Sequence, residues 1–321
     1  MALLEVDGLS VDFAGSQRTV HALRDISFSI DRGRIVGLVG ESGSGKSTLS
    51  LAILRLLAPS ARIAAGTIRF DGTDLLALSS EAMRALRGER IAMVFQDPMS
   101  TLNPVLSVGA QMVDVQFRHT DLSRADKRGR AVTLLKRVGI PDPERRIDDY
   151  PHQFSGGMRQ RISIAMALLG RPDLLIADEP TTALDVTLEA QILDLLRDLR
   201  RDFAGAILLV SHHLGVVAEI CDEVVVLYAG ELVEQAPVGE LFANPRHPYT
   251  RALIECDPGR LPEDSLSFPT IPGRLPDLGA PRTECVFAAR CPLAFERCRV
   301  EAPAMIDIAP GHRASCHLLG G

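Results

Sequence analysis

A short apolar run that ends in a glycine-rich loop constrains this chain more than any other feature. The run Ile35–Val39 precedes GESGSGKS at residues 40–47, which fits the pattern G-x-x-x-x-G-K-[ST], and a helical pattern follows over 47–57. Strand, loop and helix in this order predict backbone N–H groups that face phosphate oxygens. We expect Lys46 to reach the β- and γ-phosphates and the Ser47 hydroxyl to bind Mg²⁺.

A second apolar run ends in two acidic residues. Residues 174–177 read LLIA, as in a central strand that is covered on both faces, and Asp178 and Glu179 follow. Asp178 is expected beside the phosphate loop, where it would hold the Mg²⁺ shell. Glu179 would then polarise an attacking water. The phosphate loop alone fits a kinase, a GTPase or the motor subunit of a transporter. The acidic pair narrows the choice among these classes of protein.

The order of elements predicts an α/β protein. Residues from 174 to 228 alternate between apolar strand patterns and helical patterns, which is typical of parallel strands linked by helical crossovers. Residues 80–170 are mainly helical, whereas residues 257–283 are rich in Pro and Gly and are interpreted as a linker or an irregular segment. A length of 321 residues predicts about two domains.

Composition argues against two function classes. Lys and Arg number 35 and Asp and Glu 41, which gives a formal net charge of −6, and the chain has no Trp. A mildly acidic chain with few aromatic residues is a poor candidate for a nucleic-acid binder. No apolar run reaches the roughly 18 residues of a membrane span. Glu5 and Asp7 stand where a signal peptide would be basic and then apolar, so we expect a cytoplasmic protein.

A serine-glycine-glycine sequence identifies a family. Residues 154–160 read FSGGMRQ, and here the chain resembles the ATP-binding cassette (ABC) family, whose signature reads LSGGQ. Ser155, Gly156 and Gly157 match that signature, whereas Phe154 and Met158 replace its first and last residues. The resemblance implies a P-loop NTPase fold with a RecA-like parallel-sheet core, an antiparallel β subdomain and an α-helical subdomain. It also implies that the signature binds the γ-phosphate of ATP held by an opposite subunit.

Further family motifs follow in order. Gln96 corresponds to the Q-loop glutamine, which touches Mg²⁺ together with Ser47 and Asp178, and residues 182–185 (TALD) resemble the D-loop with its Asp185. His212 matches the switch histidine that assists Glu179 in hydrolysis, although His213 follows it where the family usually has Asp. Phe13 is expected to stack on adenine. The residues expected to bind ATP are Phe13, Gly40, Glu41, Ser42, Gly43, Ser44, Gly45, Lys46, Ser47, Thr48 and Gln96.

The resemblance covers residues 1–245 as a cassette, with a helical subdomain at about 80–170, and continues into an extension over 246–321. The stretch 244–253 (NPRHPYTRAL) looks like the C-terminal extension of dipeptide/oligopeptide and nickel importer ATPases. The resemblance therefore implies an ATP-hydrolysing subunit of a peptide importer, with nickel or sugar as alternative cargo. Its implied partners are a second and related ABC ATPase, two permeases and an extracytoplasmic binding protein, at the cytoplasmic face of the membrane.

Two other function classes stay open. A soluble cassette ATPase acting on nucleic acid or ribosomes is disfavoured by the single cassette, the absence of sustained heptads and the acidic balance. A redox-sensing protein would make the cysteine-rich tail the functional part. Nucleic acid is accordingly not an expected partner.

The extension carries four of the six cysteines, Cys285, Cys291, Cys298 and Cys316. Their spacing lacks the CxxC pairs of a zinc ribbon, but four thiolates suit a 4Fe–4S cluster or a closed zinc site. Cysteines that bind no metal are the third alternative. The resemblance favours the cluster, which would staple a Pro-rich tail with little core of its own.

Overall fold

The computed structural model describes residues 2–15, 18–97, 101–182, 186–202, 205–257, 269–280 and 282–320. The chain divides into two compact units. Unit 1 comprises Met1–Ala77 with Leu209–Gly321, and unit 2 comprises Leu78–Leu208. No helix among the described residues is long and apolar enough to cross a membrane.

The strands of the described residues are, in chain order, β1 (Ala2–Ala14), β2 (Thr19–Asp31), β3 (Ile35–Val39), β4 (Ala61–Phe70), β5 (Thr73–Asp74), β6 (Ile91–Val94), β7 (Leu174–Asp178), β8 (Ala206–Ser211), β9 (Glu223–Tyr228), β10 (Glu231–Pro237), β11 (Met305–Ala309) and β12 (His312–Ser315). The α-helices are α1 (Lys46–Ile53), α2 (Ser80–Leu86), α3 (Val108–Asp114), α4 (Arg124–Arg137), α5 (Pro143–Arg146), α6 (Gly156–Leu168), α7 (Val186–Asp202), α8 (Leu214–Ile220), α9 (Val238–Ala243) and α10 (Pro248–Glu255).

An antiparallel sheet of unit 1 has the strand order β2-β1-β4-β5. In β2, Ile26, Phe28 and Ile30 are buried and alternate with less buried residues. Alternating burial follows from the period of two residues in a strand. The sheet therefore has one face against the core.

The second group of strands in unit 1 joins the cassette to the C-terminal extension. Strand β3 pairs parallel with β9, and β9 pairs antiparallel with β10 through a two-residue turn at Ala229 and Gly230, which both have positive φ. Strand β10 pairs with β12, and β12 pairs with β11. The extension thus contributes two strands to unit 1.

A buried carboxylate links these strands to the start of the extension by hydrogen bonds. Glu234 of β10 is fully buried, and its Oε1 lies 2.8 Å from His312 Nε2. The backbone N–H groups of Arg246 and His247 donate to the same carboxylate at 2.7 and 2.9 Å. A buried carboxylate is tolerated when it is hydrogen-bonded in this way.

Unit 2 combines a parallel strand pair with a helical core. Strands β6 and β7 pair parallel, with Val94 opposite Ala177. Helix α4 lies in the stretch predicted to be mainly helical and begins with a capping box between Ser123 and Asp126. The mixed α/β class predicted from the sequence is confirmed by these pairs and helices.

Helix α1 is shorter than the pattern over 47–57 predicts. The helix ends at Ile53, and Arg55 has a φ of +50°. A left-handed residue cannot continue a right-handed helix, so the apolar pattern runs past the true end. The described residues 269–280 contain neither a helix nor a strand, which agrees with the irregular segment predicted there.

Candidate functional site

The glycine-rich loop of unit 1 connects β3 to α1 and is built by close backbone contacts. Gly40 has a φ of +151°, and a Cβ at this position would lie 2.1 Å from the carbonyl oxygen of Leu227. Only glycine fits such an approach, because any side chain would collide with backbone. The first glycine of the sequence motif is therefore required by the packing of the loop against β9.

Lys46 and Ser44 present polar atoms inside the loop. The Lys46 side chain is 7% exposed, and its Nζ donates to the carbonyl oxygens of Gly40 and Glu41 at 2.6 and 3.1 Å. The Ser44 hydroxyl is buried and has no hydrogen-bond partner among the described residues. Unsatisfied buried polar atoms usually indicate a ligand, a water or an ion. The loop therefore fits an anionic ligand.

The first turn of α1 adds to this anion site. Gly45 is the N-cap residue and offers no side-chain cap to the helix. The first N–H groups of an uncapped helix are donors for an anion, and the helix dipole places positive potential there. Ser47 is exposed in this turn, as a hydroxyl ligand of Mg²⁺ would need to be.

Two other expected residues of unit 1 lie on the surface or near it. Phe13 is half-buried near the end of β1, where its backbone pairs with Val20. His212 follows β8 and is exposed, with its ring centroid 4.2 Å from that of His213. His213 is the N-cap residue of α8, and its backbone N–H donates to Ser211 Oγ at 2.9 Å. Of the two histidines, His212 is thus the one at the strand end.

Unit 2 brings two of the expected residues into direct contact. The Gln96 side-chain amide donates to Oε2 of Glu179 at 2.7 Å, and the Thr182 hydroxyl donates to the same oxygen at 2.9 Å. Gln96 follows β6 and Glu179 follows β7, so the parallel pairing of these strands places both at one edge. The carboxylate is thereby held in one orientation, as a general base requires.

The backbone at Glu179 is also unusual. Glu179 has a φ of +47°, in the left-handed region that costs a non-glycine residue about 1 kcal/mol or more. The turn follows β7, whose five residues are all buried, including Asp178 at its end. Backbone strain of this kind can serve function, although Arg55 and Ala229 show the same sign of φ at a helix end and a turn.

The Ser-Gly-Gly sequence of unit 2 begins helix α6. Ser155 is the N-cap residue, and its Oγ accepts the backbone N–H of Met158 at 3.3 Å. Ser155 and Gly156 are exposed, whereas a Cβ at Gly157 would lie 2.8 Å from Leu188 Cδ1. A side chain at this position would displace the end of Leu188, so the glycine allows α6 to pack closely against α7.

The replacement of the first signature residue is explained by packing. Phe154 is 3% exposed and belongs to the helical core of unit 2. The Arg146 guanidinium lies 4.3 Å from the centre of its ring, a cation–π contact. Asp185, expected in the D-loop, lies outside the described residues.

The four cysteines of the extension share one neighbourhood. The backbone N–H of Cys285 donates to the carbonyl oxygen of Cys298 at 2.9 Å. Burial raises the pKa of the Cys285, Cys291 and Cys316 thiols, and the nearness of Cys298 adds to the rise for each. However, no group of three or more His, Cys, Asp or Glu side chains is arranged to hold a metal ion in the part of the chain that the structure describes. The four-thiolate metal site expected from the sequence is therefore not supported by the described residues.

Sequence reasoning missed the residues that hold Glu41. The Arg290 guanidinium makes two hydrogen bonds to the Glu41 carboxylate, at 2.6 and 3.0 Å, and the backbone N–H of Glu41 donates to the Tyr249 hydroxyl at 2.9 Å. Arg290 stands 249 positions from Glu41, so no local pattern predicts this contact.

Comparison with protein families gives two matches. Residues 23–182 match the ABC transporter family, and residues 233–298 match the family described as oligopeptide/dipeptide transporter, C-terminal region. The predicted family is therefore confirmed.

Curated relatives match almost the whole chain. A probable peptide ABC transporter ATP-binding protein of Sinorhizobium fredii, y4tR, is 50% identical over 98% of this chain and 94% of its own length. The dipeptide transport ATP-binding protein DppD of Escherichia coli is 46% identical over 99% of this chain and 97% of its own. The oligopeptide transport ATP-binding protein OppD of Bacillus subtilis is 46% identical over 99% and 89%.

Solved structures show the same fold. The ATP-binding cassette MJ0796, in a dimeric post-hydrolysis state bound to ADP and phosphate, matches with a TM-score of 0.66 and 26% identity over 73% of this chain and 98% of that one. The protein cbiO1 of Clostridium perfringens, part of the transporter complex cbiONQ, matches with a TM-score of 0.65 and 32% identity over 76% and 91%.

Proposed function

Because this chain belongs to the ABC transporter family, we propose that it is the ATP-hydrolysing subunit of an importer for di- and oligopeptides. The observation that carries the proposal is the likeness to peptide-transport ATPases over 98–99% of the chain, which includes the extension. The likeness to the oligopeptide/dipeptide C-terminal region over residues 233–298 supports peptides over nickel or sugars as cargo.

The geometry of the glycine-rich loop supports its role in ATP binding. Lys46 holds a buried ammonium group against the loop, and α1 begins there without a side-chain cap. Both features place positive potential where the β- and γ-phosphates would bind. Mg²⁺, ligated by Ser47, Gln96 and Asp178, would neutralise the charge that develops during phosphoryl transfer.

Hydrolysis is assigned to Glu179 with His212. The hydrogen bonds of Gln96 and Thr182 to the Glu179 carboxylate support its assignment as the group that accepts a proton from an attacking water. His212, at the end of β8, would contact the γ-phosphate and stabilise its charge. His213 is the N-cap residue of α8, one position beyond the strand end, and is not assigned a catalytic role.

A second ATPase subunit completes the site in this proposal. Ser155 and Gly156 are exposed at the start of α6, where they would bind the γ-phosphate held by a partner cassette. Each ATP then contributes contacts to both subunits, and ATP favours the closed pair because only that pair makes both sets of contacts. We assign the partner as a related ATPase, which gives a heterodimer, and a homodimer of this chain is the alternative.

The remaining partners are two transmembrane permeases and an extracytoplasmic substrate-binding protein. Peptide import by this family couples ATP hydrolysis to membrane subunits, which supports a peripheral location at the cytoplasmic face of the membrane. The names of the relatives, which refer to peptide transport, support the same assembly.

We also propose a 4Fe–4S cluster at Cys285, Cys291, Cys298 and Cys316. Four thiols in one neighbourhood are a suitable donor set, although they are not arranged for ligation here. A bound metal lowers the pKa of its thiol ligands and would offset the burial that raises them. The cluster would act as a staple for the extension, and no step of hydrolysis passes through it.

The function is tested by reconstituting this chain in proteoliposomes with the two permeases and the second ATPase of the proposed assembly. We expect ATP-dependent uptake of a labelled dipeptide when the cognate binding protein is added. Uptake of nickel or a sugar instead, with no dipeptide uptake, would contradict the assigned cargo. Purification of the chain with nucleic acid or ribosomes rather than with permeases would favour the soluble ATPase alternative.

A further inference from the structure

Arg290 of the extension is a buried arginine with every side-chain nitrogen engaged. Its side chain is 4% exposed and makes five hydrogen bonds. Two go to the Glu41 carboxylate, one to the Tyr228 hydroxyl at 3.3 Å, and two to the carbonyl oxygens of Ile271 and Pro272 at 2.9 and 2.8 Å. Burying a guanidinium costs desolvation free energy, and the five hydrogen bonds offset that cost.

The pairing with Glu41 is the bidentate form that arginine favours. Two parallel hydrogen bonds between a guanidinium and a carboxylate fix orientation as well as distance. Glu41 is the second residue of the glycine-rich loop, directly after Gly40 with its positive φ. The extension therefore holds the loop at the position where the chain leaves β3.

The backbone of Glu41 is held from the same side. Its N–H donates to the Tyr249 hydroxyl, and the Tyr249 ring packs against Tyr228 and Phe287 at centroid distances of 4.6 and 5.4 Å. Tyr249 and Phe287 both belong to the extension. One loop residue is thus restrained through its side chain and through its backbone.

The described part of the Pro-rich segment covers the next part of the loop. A Cβ at Gly43 would lie 3.6 Å from Cδ1 of Leu275, so the two residues are in van der Waals range. Further along, the carbonyl oxygen of Leu278 accepts the backbone N–H of His21 at 3.0 Å. Residues 269–280 therefore pack along unit 1 from the glycine-rich loop to β2.

We propose that Arg290 is a positioning residue for the phosphate loop, through which the C-terminal extension sets the affinity of this subunit for ATP. The proposal rests on the assignment of residues 40–47 as the ATP site. When a loop binds phosphate in only one of its conformations, the apparent Kd rises as the loop spends more time in its other conformations. The pairing of Arg290 with Glu41 keeps the loop in its binding conformation for most of the time.

The test is equilibrium binding of a fluorescent ATP analogue, mant-ATP, to the purified full chain with Mg²⁺. Arg290→Ala is expected to raise the Kd about tenfold, since it removes the restraint on Glu41. Arg297→Ala is the matched control, because Arg297 is an exposed arginine of the same extension that pairs only locally with Glu301. Its Kd should stay within about twofold of the unmodified protein.

A double-mutant cycle separates positioning from a general loss of structure. Glu41→Gln and Arg290→Ala are measured singly and together, and the double variant should bind little worse than Arg290→Ala alone. Arg290→Lys keeps the positive charge but cannot make two parallel hydrogen bonds to the carboxylate, so its Kd should be intermediate. If Arg290→Ala does not fold, Arg290→Lys takes its place in the cycle. Additive effects, or an unchanged Kd in the folded arginine variant, would overturn the proposal.

A further variant, Lys46→Ala, distinguishes this proposal from the assignment of the site itself. Loss of mant-ATP binding in Lys46→Ala, with unchanged binding in Arg290→Ala, would leave the ATP site in place and overturn the positioning role alone. Full binding in Lys46→Ala would overturn the site assignment.

Discussion

Gln96 donates a hydrogen bond of 2.7 Å from its side-chain amide to Oε2 of Glu179, across the carboxyl ends of two parallel strands. Thr182 donates to the same oxygen at 2.9 Å. Both donors act on the same carboxylate oxygen. In the proposed reaction, Gln96 and Thr182 therefore set the orientation of the base.

Gln96→Ala should lower kcat for ATP hydrolysis about tenfold or more in the assembled transporter. A hydrogen bond to a charged group contributes roughly 1.5–3 kcal/mol, and its loss frees the carboxylate to rotate. Gln191→Ala is the control, because Gln191 is an exposed glutamine of α7 in the same unit. Equal turnover in the Gln96 variant and the control would show that the contact does not serve hydrolysis.

Glu179→Gln should retain ATP but lose turnover by a factor of about 100 or more, because an amide cannot accept the proton of the attacking water. The ATP-bound pair of subunits should then accumulate in its closed form. Size-exclusion chromatography with Mg²⁺ and ATP measures that pair. Glu189→Gln, in the first turn of α7, provides the comparison. A Glu179→Gln variant that hydrolyses ATP normally would remove the assigned role.

Lys46→Ala should abolish ATP binding or hydrolysis, since it removes the ammonium group that lies against the loop. Lys136→Ala, an exposed lysine of α4, should leave both unchanged. Hydrolysis is measured as phosphate release by the assembled complex. Full activity of the Lys46 variant would be incompatible with the proposed site.

The extension should carry iron after anaerobic purification. A brown protein with an iron-to-protein ratio near four is expected for one 4Fe–4S cluster. Cys291→Ser should lower that ratio, whereas Cys221→Ser should not, because Cys221 lies at the end of α8 outside the extension. Zinc in place of iron, or a colourless protein without metal, would contradict the cluster.

Stability should fall in mild acid because of His247. This imidazole is fully buried at the start of α10, and burial lowers its pKa to about 3 from the usual 6.5. Below pH 6.5 the unfolded chain therefore binds a proton that the folded chain does not, so the free energy of unfolding decreases as the pH falls toward 3. Between pH 6.5 and 4.5 the contribution is about 2 to 3 kcal/mol.

The comparison for this effect is His247→Asn, which does not titrate and can still cap α10 by accepting the N–H that Tyr249 now donates to His247 Nδ1. Urea unfolding followed by circular dichroism at several pH values should show a shallower pH dependence for the variant. Glu234, which accepts the His247 backbone N–H, is common to both proteins. Identical pH dependence would show that His247 does not carry this part of the acid sensitivity.

The sequence alone determined the features that depend on local chemistry. The apolar run before Gly40, the loop itself and the helix after it form one continuous segment, so pattern and spacing predicted them together. The acidic pair Asp178 and Glu179 was predicted for the same reason, as the end of a buried strand. The end of α1 was not, because an apolar pattern does not show where the backbone at Arg55 turns left-handed.

The tertiary structure decided what distant segments do to one another. The contact of Gln96 with Glu179 follows from strand pairing, and the contact of Arg290 with Glu41 joins residues 249 positions apart. Whether an arginine is buried and which carboxylate it meets depend on the packing of the whole unit, so the sequence around Arg290 holds no sign of its partner. The physical reason is that backbone conformation is set largely by neighbours along the chain, whereas charge pairing is set by neighbours in space.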